Sequence, residues 1–485
     1  MRPSSLRLGA CALLASLLGA ATLAVPAIAE AKNAKVDRRL AATAESLPSE
    51  TELRVIVYGE AKKLKAVSEK GKMRIKKQFR VIDAASATVA AGDLEHLASD
   101  PDVEYVAPDL PVQPTTAGAP VSFPFLSTLY PQIDGASAAW SRGYTGAGIG
   151  VAVIDSGVAA SADFGSRLFQ VQLNGQASIA DTYGHGTFVA GVVGGASADG
   201  RYVGIAPGAS IYAVNVNDTS GVFTSNVILG LDWVDANRQT YNIRVVNISL
   251  SETTASSYLS SSLDSAVERL WQHGVVVIVS AGNLGPGTAV YAPANDPFVI
   301  TVGAVDNAGT LSTGDDRAAT FSSSGTTQDG FAKPDLLAPG RQIASILPAT
   351  TTLGGQAPLA NLLAPGYATM SGTSFAAPQV AGVAALLLQQ HPEWTPDQVK
   401  WLLAQTGRSL SGSGRALDIS AAIQFSGTVG LSNQGITPAP QPTAAASTDT
   451  SLTSNTSSWN TSSWNTSSWN TSSWNTSSWN FSAWD

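Results

Sequence analysis

Most of the chain alternates between two kinds of apolar pattern. Short runs rich in Val and Ile predict buried strands at residues 148–154, 210–214, 244–250, 275–280 and 299–305. Segments with helical spacing follow several of them, at residues 185–193, 227–238 and 259–273. Alternation of this kind predicts an α/β domain with a mostly parallel sheet and helices on both faces.

The pattern before residue 110 is different and describes a small α+β unit. Strands are predicted at residues 53–58, 80–84, 86–90 and 103–106, with a short helix at 94–98. Residues 30–50 have no such pattern and are interpreted as a flexible leader. The stretch 110–119 is rich in Pro, Thr and Ala, which predicts an exposed linker between the two units.

The first 29 residues have the features of a secretory signal peptide. Two arginines precede a long apolar stretch, and Ala27-Ile28-Ala29 forms a small-residue cleavage site. A lipoprotein processing box ending at Cys11 is the alternative. Cys11 is the only cysteine, so cleavage after Ala29 leaves no thiol and no disulfide. We expect a secreted protein without a later membrane span.

The last part of the chain is of low complexity. Residues 429–454 are rich in Pro, Ala, Ser and Thr and are interpreted as a linker. Residues 455–485 repeat the sequence Asn-Thr-Ser-Ser-Trp with a period of five, which gives no single face on a helix or a strand. Two interpretations remain open: a spacer, or a tail whose tryptophans bind a cell-surface component.

Charge differs between the units. Nine basic residues lie between Lys62 and Arg80 against a single acid, Glu69. In isolation such a run suggests nucleic acid. Because residues 117–485 carry 12 basic and 22 acidic side chains, complementarity between the units is the better interpretation, and a solvated face is the alternative. No nucleic-acid partner is expected.

Three short motifs carry candidate chemistry. Ser374 follows Gly372-Thr373 in a small-residue turn that leads into the apolar run 380–388, so it is predicted at a helix N-terminus, where unpaired N–H groups favour negative charge. Asp155 ends a predicted strand, and His185 lies between two glycines before a predicted helix. Asp, His and Ser in this chain order resemble the subtilisin-like serine peptidases, the subtilase family, over residues 145–425.

That resemblance implies an architecture. It indicates a subtilisin-like three-layer αβα fold with a mostly parallel sheet at residues 117–428. It also indicates that residues 30–116 are a ferredoxin-like propeptide that assists folding and then acts as an intramolecular inhibitor. Maturation by a cut within residues 110–119 follows from this. A permanent accessory domain is the alternative for the N-terminal unit.

The resemblance also implies roles. Ser374 would be the nucleophile, His185 its base, and Asp155 the group that orients the histidine. Asn283, in the segment that follows strand 275–280, resembles the family's oxyanion donor. An ordinary turn asparagine is the alternative.

Polypeptide substrates would bind as an added strand along Ser249, Leu250 and Ser251, with Gly282 also near the substrate. Ser251 replaces the usual glycine. Tyr291 falls near the expected floor of the pocket for the P1 side chain, the residue before the cut bond. We therefore expect large P1 side chains to be disfavoured.

No cofactor is required for this chemistry. Phe188 stands where many relatives have a second histidine, and no zinc-type spacing of His and Cys is present. Asp163 is a candidate ligand for a structural Ca²⁺, although the loop 196–202 lacks an asparagine that often helps bind it. The alternative from another class is a non-catalytic, secreted surface-binding protein that uses the Trp-rich tail.

Overall fold

The computed structural model describes residues 35–110, 112–114, 128–173, 179–217, 221–410 and 414–439. The predicted signal peptide and the repeat tail 455–485 lie outside these residues.

The N-terminal unit is built on a four-stranded antiparallel sheet. Its elements are α1 (Arg38–Ser46), β1 (Glu52–Tyr58), α2 (Ala61–Glu69), β2 (Arg74–Gln78), β3 (Ala84–Ala90), α3 (Leu94–Ala98) and β4 (Tyr105–Pro108). The strand order β2-β3-β1-β4, with α2 and α3 between strands, is the expected ferredoxin-like arrangement. Side chains such as Val55, Leu64 and Leu97 fill its own core.

Two predictions for this unit are wrong. Helix α1 occupies the predicted flexible leader, because Asp37 caps it through bonds from Arg39 N (2.9 Å) and Leu40 N (3.1 Å). The second strand is Arg74–Gln78 instead of residues 80–84. Residues 80–83 form a turn whose apolar members, Val81 and Ile82, pack into the core of the second unit.

A short strand, β5 (Val112–Pro114), follows this unit. The helices of the second unit are α4 (Tyr130–Ile133), α5 (Ser137–Trp140), α6 (His185–Gly194), α7 (Thr224–Asn237), α8 (Ser262–Gln272), α9 (Thr352–Gln356), α10 (Thr373–Gln390), α11 (Pro396–Thr406) and α12 (Ile419–Ile423). Its strands are β6 (Gly150–Asp155), β7 (Leu168–Val171), β8 (Ser210–Asn215), β9 (Ile243–Ile248), β10 (Leu250–Glu252), β11 (Val276–Ser280), β12 (Ile300–Asp306), β13 (Arg317–Ala318), β14 (Gly325–Thr326), β15 (Ala332–Lys333), β16 (Leu336–Pro339), β17 (Ile343–Ile346), β18 (Leu362–Ala364), β19 (Tyr367–Met370), β20 (Arg408–Leu410) and β21 (Gly414–Ala416).

The central sheet has the order β20-β21-β16-β12-β11-β9-β6-β8-β7, and β13 pairs with β12. Pairing is parallel from β7 to β21, and only β20 and β13 among these described strands run antiparallel. Helices α6 and α10 pack together on one face, and α7 and α8 pack together on the other. This is the predicted three-layer α/β fold.

Helix α10 is the centre of the domain. Residues 373–388 are buried without interruption, which explains why its sequence is apolar on all sides. Across the described ranges, no helix combines the length and the apolar character that crossing a membrane requires.

The end of the described chain continues over this domain. Ser432 N donates to Asp397 O (3.2 Å), and Ala439 N donates to Glu268 Oε2 (2.6 Å). The predicted linker 429–454 is therefore docked on the domain as far as Ala439.

Part of the basic run in the N-terminal unit pairs with acidic side chains of the same unit. Lys63 pairs with Glu60 (2.9 Å), and Lys72 pairs with Asp100 (3.0 Å). β2 itself alternates between exposed and half-buried positions. These contacts favour the solvated-face interpretation over charge complementarity between the units.

Candidate active site

Strand β6 ends at Asp155, and its carboxylate contacts the first residue of α6. Asp155 Oδ1 accepts from Ser156 N (2.8 Å) and lies 2.7 Å from His185 Nδ1. Both side chains are fully buried. Because a carboxylate only accepts, this contact assigns a hydrogen to Nδ1, and in the neutral imidazole Nε2 is then the nitrogen with the lone pair of a base. His185 Nε2 has no hydrogen-bond partner among the described residues.

Aromatic packing holds the imidazole of His185 in place. The rings of His185 and Phe375 have centroids 5.5 Å apart, and Phe375 packs on Phe188 at 4.6 Å. Phe188 therefore has a packing role at the position where many relatives have a histidine.

A second carboxylate, Asp181, organises the loop before α6. Its Oδ1 accepts from Ser156 Oγ (2.9 Å), Tyr183 N (3.0 Å) and Gly184 N (2.7 Å). Its Oδ2 accepts from Thr187 N (2.9 Å) and Thr187 Oγ1 (2.5 Å). Burial raises the pKa of Asp181, and these hydrogen bonds oppose the increase.

Sequence reasoning missed Asp181, although an aspartate four residues before His185 was a possible signal. Gly184, between them, has a φ of 103°, a conformation that glycine adopts easily. Asp181 thus positions the turn from which His185 projects.

Ser374 is the second residue of α10 and is fully buried. Its carbonyl accepts from Ser249 Oγ (3.0 Å), and its own Oγ lies 3.5 Å from Ser249 O. Because α10 packs against α6, and Phe375 contacts the His185 ring, Ser374 and His185 lie near each other at the starts of two packed helices.

Asn283 follows β11 and lies against the start of α10. Its Oδ1 accepts from Thr373 N (2.9 Å) and Thr373 Oγ1 (3.1 Å). The same hydroxyl accepts from Gly282 N (3.2 Å). Asn283 Nδ2 is buried and has no hydrogen-bond partner in the part of the chain that the structure describes. The amide is therefore held by its oxygen, which leaves its N–H groups as donors.

A strand already lies on the predicted substrate-binding segment. β5 pairs antiparallel with β10, so that Pro114 is opposite Leu250, Gln113 opposite Ser251, and Val112 opposite Glu252. Ser249 precedes β10 and contacts Ser374. The chain after the N-terminal unit thus runs toward Ser374 as an added strand.

Comparison with known proteins shows the relationship. A model of the subtilase family matches residues 146–469. The chain belongs to the subtilase family. It is a serine peptidase, and the non-catalytic alternative is not favoured.

Individual subtilases are similar over much of their length. Subtilisin E of Bacillus subtilis is 35% identical over 380 residues, covering 75% of this chain and 86% of the relative. Serine protease AprX of the same species is 39% identical over 279 residues, covering 53% and 61%. The crystal structure of fervidolysin from Fervidobacterium pennivorans, described as a keratinolytic enzyme related to subtilisin, has a TM-score of 0.60 at 26% identity. That match covers 78% of this chain and 61% of the fervidolysin chain.

The N-terminal unit of this subtilase covers the start of α7. Asp109 Oδ1 accepts from Ser225 N (2.9 Å), and Asp109 Oδ2 from Ser225 Oγ (2.7 Å). Arg54 Nη2 lies 3.2 Å from the same carboxylate. Further along α7, Asp232 accepts from Val81 N. The docked carboxylate caps a helix of the peptidase domain.

The oxygen atoms around Asp163 do not fit the ligand set of a calcium ion. Asp163 Oδ2 accepts from Tyr367 OH (2.7 Å), and the Tyr367 ring stacks on Tyr202 with centroids 3.8 Å apart. Together with Asp199 and Arg201 they line a cavity of about 450 Å³. Calcium takes six to eight oxygens. Within the described ranges, no three His, Cys, Asp or Glu side chains gather as a metal site.

Tyr291 is half-buried and forms a β-bridge with Ala255, beyond the end of β10. Its place at the floor of the P1 pocket remains a prediction.

Proposed function

We propose that this subtilase is a secreted serine endopeptidase that cuts its own chain after the N-terminal unit and then hydrolyses other polypeptides. The observation that carries the proposal is the pairing of β5 with β10 beside Ser374. A segment bound as an added strand is in the conformation of a substrate.

The chemistry follows from the atoms of the site. His185 Nε2 takes the proton of Ser374 Oγ, and Oγ attacks the carbonyl carbon of the bound peptide. Asp155 stabilises the imidazolium that forms. Asn283 Nδ2 and Ser374 N donate to the oxyanion, a contribution of roughly 3 kcal/mol per donor. His185 returns the proton to the leaving amine, and water hydrolyses the acyl-enzyme.

The docked N-terminal unit, residues 30–116, then acts as an inhibitor, because β5 occupies the strand position that a substrate needs. Because Pro114 lies opposite Leu250, the next residue toward Ser374 is Thr115, and the bond following Thr115 is the expected cleavage site. A threonine before the cut bond would agree with a P1 pocket that disfavours large side chains.

Secretion and the use of the tail complete the proposal. Residues 1–29 would direct export, and the Trp-rich repeat would either space the enzyme from, or bind it to, a cell-surface component. Comparing supernatant and cell fractions for full-length and tail-deleted protein separates these two uses.

The test of catalysis is a time course of intact mass for the wild type and Ser374→Ala. We expect the wild type to lose a fragment ending between residues 110 and 119 and to cleave casein, and the variant to do neither. If both chains stay whole and inactive, the catalytic proposal fails. If both are cut, the maturation step belongs to another protease.

A further inference from the structure

At the edge where the N-terminal unit meets the peptidase domain, one hydroxyl lies between two acceptors. Thr224 Oγ1 is 2.8 Å from Leu110 O and 2.8 Å from Glu252 Oε1. Leu110 O also accepts from Thr224 N (2.7 Å). A hydroxyl has a single hydrogen, so it can donate to only one of the two oxygens. If Glu252 is ionised, one of these close contacts has no proton.

A protonated Glu252 resolves the conflict. Its O–H then donates to Thr224 Oγ1, whose hydrogen donates to Leu110 O, and each contact becomes a hydrogen bond. Glu252 is 3% exposed, and its Oε2 has no hydrogen-bond partner among the described residues. Burial raises the pKa of Glu252 to about 7, whereas the bond from Thr224 acts in the opposite direction.

The groups that face Glu252 come from both units. Arg39 lowers the pKa of Glu252, while Asp37, Asp109 and the Asp264 carboxyl of α8 oppose the ionised form. Tyr58 of β1 also faces it. All of these except Asp264 belong to the N-terminal unit, so most of the charged and titratable groups that face Glu252 leave when that unit leaves.

We propose that Glu252 makes docking of the N-terminal unit depend on protons: the docked state holds Glu252 protonated, and loss of this proton as the pH rises releases the cleaved unit. The proposal rests on the proposed function, since it describes how the inhibitor of that site is removed.

The direction follows from linkage. A solvated glutamate has a pKa of about 4.3, and the docked Glu252 has a pKa of about 7. Docking is therefore at full strength below about pH 4.3 and weakens as the pH rises through 7. Burial also raises the pKa values of Asp109 and of Asp232, the latter to about 7, so these groups weaken docking in the same direction. Glu252 accounts for one part of the dependence.

The experiment uses the full chain after self-cleavage, stopped with a serine-directed inactivator. The fraction of non-covalent complex is measured by native mass spectrometry against protein concentration, at about pH 5 and about pH 8. For the wild type we expect the dissociation constant of the cleaved unit to rise by at least about a hundredfold between the two conditions, because Glu252 alone accounts for a change of that order.

Glu252→Gln should reduce that ratio about tenfold or more, because its amide donates to Thr224 Oγ1 at either pH and does not titrate. Glu252→Ala should also flatten the dependence, with weaker docking at acid pH. Glu393→Gln, a change at an exposed glutamate, is the matched control and should behave as the wild type.

If both Glu252 variants keep the wild-type ratio, the proposal is overturned. If mass spectrometry under denaturing conditions shows no self-cleavage, that separate result contradicts the proposed function. In that case the Ser374→Ala full chain tests the proton linkage alone. Hydrogen exchange of α7, corrected for intrinsic rates, should show less protection at the higher pH, and Glu252→Gln should remove this change.

Discussion

Asp181 and Glu252 are buried carboxyl groups in two different regions of this subtilase, and their surroundings supply hydrogen-bond donors differently. The loop before α6 surrounds Asp181 with five hydrogen-bond donors from the same domain. At the interface with the N-terminal unit, Glu252 has a single hydroxyl partner, that of Thr224 in α7, and the Leu110 carbonyl of the N-terminal unit shares this hydroxyl. The first arrangement fixes the carboxyl group in one geometry, and its donors oppose the increase in pKa that burial causes. The second is complete only with an added proton, so it can change with pH. Burial alone therefore does not decide what a carboxylate does; the supply of donors does.

The largest effect is expected from the carboxylate that contacts the histidine. Asp155→Asn should lower kcat about 10⁴-fold, because an amide no longer selects the Nδ1–H form of His185 or stabilises its imidazolium. The measurement is peptide hydrolysis after the N-terminal unit has been removed. Asp163→Asn, a change at an aspartate bound to Tyr367, is the control and should retain activity. Equal losses in both variants would contradict the assigned role.

A smaller loss of activity is expected when the loop before α6 loses the carboxylate of Asp181, which accepts its hydrogen bonds. Asp181→Ala should lower kcat by about 10–100-fold through displacement of His185, with little change in KM. It should also cost about 2–4 kcal/mol of unfolding free energy, since buried N–H groups lose their acceptor. Asp181→Asn keeps an acceptor oxygen and should recover part of both losses. A loss of stability with unchanged kcat would assign Asp181 a structural role only.

The smallest effect is expected at the interface between the N-terminal unit and the peptidase domain. Asp232→Asn removes an interface carboxylate whose pKa burial raises to about 7, but the backbone N–H of Val81 also binds the ionised form. It should therefore reduce the pH dependence of docking by less than Glu252→Gln does, and leave the mature enzyme unchanged. Native mass spectrometry at the two pH values measures this. A reduction larger than that of Glu252→Gln would move the main proton site to α7.

The sequence predicted those parts of the molecule whose local pattern and tertiary environment agree. Agreement was good for the strand that ends at Asp155, the helix after Ser374 and the elements that alternate between them. These elements are buried on all sides, so their apolar runs predict them without ambiguity. The prediction failed where apolar residues serve an interface: Val81 and Ile82 suggested a strand but lie in a turn against the peptidase domain.

Candidate site residues were likewise predictable only where the local sequence carries the signal. Asp155, His185, Asn283 and Ser374 lie in short motifs with recognisable neighbours. Asp181 and Glu252 act through partners distant in sequence or through backbone groups, and a single sequence gives no sign of such contacts. The short helix α1 was missed because its capping aspartate lies in a polar stretch with few apolar residues.

The pairing of β5 with β10 limits how the substrate specificity can change in evolution or by engineering. Under the self-cleavage proposed above, the same cleft accepts one fixed sequence in its own chain before it meets any other. A change that narrows its preference also acts on Val112–Pro114 and can trap the protein in its precursor form. Altered specificity therefore requires paired changes, one in the cleft and one in the segment that fills it first.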